Sequence, residues 1–234
     1  MPESWLELWD VVSRNRVRTL LTISGVFWGM FMLILMIGFG NGLERGMQDT
    51  VGGTFTNAVF VWGRTASLPY RGLPANRSVR PSNAEIEALR ELPGLAVLAP
   101  RNRLGGWRSG VNVVHGSELG NYQVNGDVPE WAEVQPMTFP LGRWLNQRDL
   151  DEERKVAVIG KPVMDDLYGP GEPVIGSVLT VNGVAFRVVG VFDTPLGGED
   201  AERVENVVHL PFTTFQSAFA SYRDYVGWFT ATAR

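Results

Sequence analysis

Cysteine is absent from all 234 residues. That excludes a disulfide framework, a thiol nucleophile and any Cys-ligated metal, so whatever folds here must be stable through its own core. There is no GxxxxGK[ST] run, and hence no phosphate-cradling P-loop. Gly38, Gly40 and Gly42 fail the GxGxxG pattern and follow an apolar run instead of a strand, which excludes a dinucleotide fingerprint. No GxSxG nucleophile elbow occurs. Histidine is scarce. His115 and His209 are the only two, each in or beside a β-branched run without a companion motif, which reads as strand packing and not as metal ligation or base catalysis. The acidic runs at 149–153, 165–166 and 199–202 lack the alternating ligands and central glycine of a calcium loop and read as solvated loop charge. The net charge of −4 offers no concentrated basic patch for nucleic acid.

Charge is also missing locally, and this absence is the informative one. From Leu20 to Gly42, 23 consecutive residues carry none. As a helix the run is about 35 Å long, enough to cross a hydrocarbon core of about 30 Å. It exceeds the apolar core of a signal peptide, about 7–15 residues, and no small-residue cleavage site follows it. Arg14, Arg16 and Arg18 precede it, whereas only Glu44, Arg45 and Asp49 follow. Basic residues stay on the cytoplasmic side, so the N-terminus is expected inside and everything after Gly42 outside.

Ahead of the run, Ser4 and Glu7 form a capping-box pair, and Trp5, Leu8, Trp9 and Val12 make one apolar stripe at i, i+3, i+4 and i+7. Two tryptophans on that stripe suit the membrane boundary. Within the run, Gly25 and Gly29 are four apart, as are Gly38 and Gly42. At 100° per residue Gly29 and Gly38 face opposite sides, so the helix offers close-packing positions to two neighbours. Residues 44–54 are expected to continue as a stalk, ended by Gly52-Gly53.

The outer residues, 55–234, read as α+β. Strands are expected at 58–62, 95–99, 111–114, 155–159, 178–181, 184–192, 207–210 and 226–232, and helices at 83–92, 162–168 and 213–222. Ser82 with Glu85 opens the first of these helices. The run at 155–159 is continuously apolar, suited to burial on both faces. Asn182-Gly183 is the strongest hairpin signal, because both turn positions need positive φ. Residues 68–80, rich in Pro, Gly and Arg, read as a loop, and 118–140 shows little periodicity.

Asn15, Arg18, Thr19, Leu21, Thr22 and Gly25 spell N-x-x-R-T-x-L-T-x-x-G into the apolar run, which resembles the first span of the MacB-like and FtsX-like ABC transporter permeases. Leu141 to Leu145 (LGRWL), Lys155 to Gly160 (KVAVIG), Leu167-Tyr168-Gly169, Ile175-Gly176 and Phe186 to Val191 follow in the order of the extracytoplasmic core domain. Residues 68–80 and 118–136 match only loosely. The resemblance implies a permease subunit of the inner membrane with no catalytic group, metal or cofactor of its own, ATP being bound by a separate ATPase subunit. It implies that residues 1–18 meet that ATPase, that the span at 19–43 pairs with itself or a paralogous permease, and that the outer domain transmits motion to an export substrate or envelope partner. It further implies a βαβ-containing porter lobe, here assigned 83–92, 155–159, 184–192 and 226–232, with a smaller lobe inserted at about 105–140. Permeases of this kind have four spans, so three more are expected after Arg234 or from another chain. A membrane-anchored binding or scaffold protein without transport is the competing reading.

Overall fold

A computed structural model describes residues 16–51, 58–105, 110–195 and 204–233. The chain divides into two units, Met1–Thr50 and Val51–Arg234. The amphipathic stripe of Trp5, Leu8, Trp9 and Val12, the cation Arg14, and the stop at Gly52-Gly53 lie outside the described residues.

In the first unit, α1 (Arg16–Val51) runs unbroken for 36 residues, about 54 Å at 1.5 Å per residue. Its stretch Arg16–Gly40 is the one helix among the described residues long and apolar enough to cross a membrane, and no part of it is buried. The hydroxyl of Thr22 donates to the carbonyl of Arg18 at 2.9 Å, which satisfies a polar group that lipid could not.

The second unit is built on strands. In chain order they are β1 (Ala58–Trp62), β2 (Thr65–Ala66), β3 (Arg77–Ser78), β4 (Leu95–Leu104), β5 (Val111–His115), β6 (Glu118–Asp127), β7 (Thr138–Gly142), β8 (Val156–Gly160), β9 (Val178–Val181), β10 (Val184–Asp193), β11 (Val207–Pro211) and β12 (Trp228–Ala233). The helices are α2 (Asn83–Arg90), α3 (Trp131–Val134), α4 (Gln147–Asp151), α5 (Lys161–Leu167) and α6 (Phe212–Ala218), with a 3₁₀ turn at Ala220–Tyr222.

Six strands close on themselves. β5 pairs with β6, β6 with β11, β11 with β8, β8 with β10, β10 with β9, and β9 returns to β5. Side chains alternate across a strand. One set therefore fills the interior, with Val113, Val124, Ala157, Ile159, Leu179, Val181, Phe186, Val188, Val208 and Leu210 in a single apolar cluster. The helices α5 and α6 add Leu167 and Phe215 to it. Gly126 is required beneath α6, since an added Cβ would sit 2.7 Å from the Phe215 side chain.

β4 joins the barrel to a second layer. Its first part pairs with β12, which pairs in turn with β1, and its last three residues pair with β6. At the changeover Asn102 is fully buried. Its amide donates to the Tyr225 carbonyl at 2.7 Å and accepts from the Gly227 N–H at 2.7 Å. A separate cluster of Ile86, Leu98, Trp131, Phe212 and Phe229 packs α2 and α3 on this layer.

Most expected elements are present, and Asn182 and Gly183 turn the β9–β10 hairpin with φ of 46° and 85°. β8 is buried at every position, as its continuous apolar run implied. Three expectations are corrected. The weakly periodic 118–140 contains the ten-residue strand β6, followed by α3 and β7. Its pattern is hidden because β6 buries Asn125 and Asp127, polar residues held by partners. The proposed inserted lobe at 105–140 does not stand apart: β5 and β6 are staves of the same barrel as β8 and β10, and β12 belongs to the other layer. The acidic run at 149–153 is not all solvated, for Asp149 is fully buried. In addition, the last helix stops at Ala218, short of 222.

Candidate functional site

Of the helix residues singled out from sequence, Arg16 and Arg18 stand at the start of α1 and are exposed. Gly25, Gly29, Gly38 and Gly42 have nothing within 4 Å of where a Cβ would project. They are open positions on a bare helix, the condition that close approach by another helix requires.

The motif blocks of the outer domain turn out to be architectural. Gly142 has φ of 70°, and a Cβ there would collide with the Val189 carbonyl. A Cβ on Gly190 would collide in turn with the Arg143 carbonyl. The two backbones thus interlock, and Arg143 N–H donates to the Val189 carbonyl at 3.1 Å. Arg143 then reaches Asp149 with two bonds of 2.6 and 3.0 Å. Asp149 also accepts from the Asn146 N–H at 3.1 Å while the Asn146 side chain caps α4 at the Asp149 N–H. Burial alone would raise the Asp149 carboxyl; the Arg143 and Asn146 bonds outweigh it and hold the group below its usual range. Trp144 donates its indole N–H to the Pro129 carbonyl at 3.1 Å and lays its ring edge-on to His209 at 5.0 Å.

His209 belongs to a buried charged seam that sequence reading did not find. Arg101 on β4, Asp127 on β6 and His209 on β11 converge with exposures of 6%, 0% and 1%. Arg101 Nη2 donates to Asp127 Oδ2 at 3.0 Å, and its Nε lies 2.5 Å from Oδ1. His209 Nδ1 is 2.5 Å from Oδ2. Phe192 and Trp144 enclose the imidazole. Burial lowers the His209 pKa, with Asp127 opposing and Arg101 and Arg103 reinforcing the shift. The lowered pKa favours neutral imidazole, in which Nδ1–H donates to Asp127. Burial pulls Asp127 up, and Arg101 and His209 more than reverse that.

Beside the seam is a cleft of 430 Å³, lined among others by Phe60, Trp62, Trp228, Arg101, Arg103 and Asn125. Strand register explains it. Trp62 is opposite Trp228 and Trp228 opposite Arg101; Arg103 is opposite Asn125 and Asn125 opposite His209. One face of five neighbouring strands thus presents aromatics and guanidinium groups together. The Arg101 guanidinium stacks 3.6 Å from the Trp131 ring centroid, and Arg103 lies 5.3 Å from that of Trp228. No cluster of three or more metal-ligating side chains occurs among the described residues.

The closed barrel and its attached layer have counterparts among known proteins. Residues 19–234 match the model of the MacB-like periplasmic core domain. The chain belongs to that family. Among MacB-like relatives, the macrolide export ATP-binding/permease protein MacB of Rhodospirillum rubrum is 28% identical over 204 residues, 86% of this chain and 30% of that protein. The pyoverdine export ATP-binding/permease protein PvdT of Pseudomonas putida is 26% identical over 222 residues, 95% of this chain and 32% of that protein. The chain therefore spans about a third of the length of the curated relatives it matches. In fold it is similar to the periplasmic region of MacB from Actinobacillus actinomycetemcomitans, with a TM-score of 0.60 at 16% identity, covering 78% of this chain and 77% of that one. It is also similar to the extracellular domain of the ABC-type transporter YknZ, with a TM-score of 0.59 at 14% identity, covering 75% and 84%. As a MacB-like domain, the chain shows what its LGRWL and KVAVIG blocks do: they lock β7 to β10 and build the barrel wall.

Proposed function

We propose that this chain supplies the first span and extracytoplasmic domain of a MacB-type ABC exporter permease, with ATP hydrolysed by a separate subunit. Its N-terminus, with Arg14, Arg16 and Arg18, lies in the cytoplasm, and the barrel lies outside the inner membrane. Trp5, Leu8, Trp9 and Val12 face lipid or the ATPase, and Gly25, Gly29, Gly38 and Gly42 seat neighbouring permease helices, from a second copy or a paralogue. The observation that carries this reading is the family match itself, which runs through helix and outer domain without a break.

The mechanism assigned to the chain is mechanical. A closed six-stranded barrel braced by the buried Arg101–Asp127 pair moves as one body, so displacement of the helix by ATP-driven closure is passed outward without being absorbed by the fold. The named substrates of the relatives, macrolides and pyoverdine, put small extracytoplasmic export substrates in range of this system.

The test is topological and then functional. A reporter fused after Arg234 should be active only when located outside the cytoplasm. Tagged chain recovered from native membranes should bring down a P-loop ATPase. Cytoplasmic reporter activity sinks the orientation, and recovery of an envelope partner with no ATPase favours a scaffold instead.

A further inference from the structure

Residues 63–84 carry four cations and no carboxylate. Arg64, Arg71, Arg77 and Arg80 occur there before the first acidic residue, Glu85. The remainder of 43–234 holds 14 basic and 22 acidic groups. The cationic stretch folds as an arm. It leaves edge strand β1, pairs Thr65 with Ser78 and Ala66 with Arg77, and is extended by Val79 N–H donating to the Arg64 carbonyl at 3.0 Å.

The arm's tip is a two-residue turn. Tyr70 and Leu73 exchange backbone bonds of 3.1 and 2.9 Å. Arg71 and Gly72 between them have φ of 46° and 82°, as a type I′ turn requires. Pro69 and Pro74 flank the pair. At this tip Leu68, Tyr70 and Leu73 are 75%, 62% and 46% exposed. The Arg71 guanidinium lies 5.3 Å from the Tyr70 ring centroid. Arg64, Arg71 and Arg80 are all exposed. Two leucines and a tyrosine among arginines are the residue types that anchor at a lipid headgroup layer.

We propose that this arm rests on the anionic lipid surface of the membrane entered by α1, on its outer side. Leu68, Tyr70 and Leu73 enter the headgroup layer, and Arg64, Arg71 and Arg80 meet lipid phosphates. An acidic protein would satisfy the cations equally. The projecting apolar tip favours lipid, because it needs a soft layer to enter and not a matched pocket. This proposal rests on the membrane-spanning reading of α1.

The absence of native cysteine makes a direct test possible. Full-length chain carrying Leu73→Cys is labelled with an environment-sensitive dye and placed in nanodiscs of phosphatidylcholine, with or without phosphatidylglycerol. With the anionic lipid, the dye should shift to the blue and be quenched by headgroup nitroxides. Each of Arg64→Gln, Arg71→Gln and Arg80→Gln should reduce the inserted population by roughly fivefold in low salt. A label at Leu119→Cys, an exposed site on the barrel, serves as the folded reference and should not respond. Unshifted, unquenched dye in a chain that co-elutes with anionic discs overturns the arm's role alone. A shift that needs an added acidic protein does so too. Failure to co-elute with any disc removes the span and the arm together.

Discussion

His209 and Asp127 meet at 2.5 Å with neither residue accessible to water. They come from parallel strands β11 and β6, and Arg101 of β4 closes on the other carboxylate oxygen. Three strands are thereby pinned where the barrel joins the second layer.

Asp127→Asn keeps the shape of that seam and removes its charge. Arg101 is then buried without a counter-ion, which costs about 3–5 kcal/mol. Urea denaturation followed by tryptophan emission should show the loss as a lower midpoint with unchanged slope. A cost under ~1 kcal/mol would mean that water reaches Arg101.

The two histidines should oppose each other with pH. His209 has a folded pKa below the ordinary 6.5 because of burial. Its stabilisation is complete above 6.5 and is lost as pH falls toward the depressed value. His115 is the reverse. Burial disfavours its charged form, but the 2.8 Å contact with Glu172 and the 2.9 Å bond to the Val178 carbonyl prevail, and its pKa is raised above 6.5. Its contribution is complete below 6.5 and fades as pH rises through the raised value. Melting temperature against pH should therefore lose its acid-side fall in His209→Gln and its alkaline-side fall in His115→Gln. Identical profiles for both variants would refute the assignment.

Arg143→Lys should fail to replace arginine. One ammonium cannot reproduce the two bonds to buried Asp149. The expected destabilisation is about 1.5–3 kcal/mol, read by chemical denaturation, with Arg143→Ala at or beyond the upper end.

Gly190→Ala drives a methyl group into the Arg143 carbonyl. Backbone must shift on both β7 and β10, for a cost of roughly 3 kcal/mol or more. Proteolysis of the outer domain in membranes should become rapid. Gly176→Ala is the informative companion: its φ of 90° strains an alanine although no atom blocks the space, so a smaller loss is expected there.

Gly29→Leu and Gly38→Leu face opposite sides of α1 and should affect different contacts if the glycines seat helices. Disulfide crosslinking from single cysteines placed along the span should map two separate losses. Unaltered crosslinks in both variants would show that these glycines reflect only composition.

The elements with strong local signals could be read directly. β8 is apolar throughout because both its faces are covered, and the β9–β10 hairpin is written in Asn182-Gly183. β6 could not be read. Its outward side chains Gln123, Asn125 and Asp127 look like a loop until β4 and β11 bring Arg103, Arg101 and His209 against them. Asp149 was hidden similarly: nothing in DLDEE distinguishes the first aspartate until Arg143 reaches it.

Amino-acid order alone determined that an uncharged run enters a membrane-length helix, that no thiol or nucleotide loop is present, and that strands and short helices follow. Those properties depend on neighbours within a few residues. Only the tertiary structure decided that β5, β6, β8, β9, β10 and β11 close into one barrel, and that Arg101, Asp127 and His209 share a buried site. Both depend on contacts between residues up to 108 positions apart, where a polar side chain is costly or stabilising according to a partner that local patterning does not reveal.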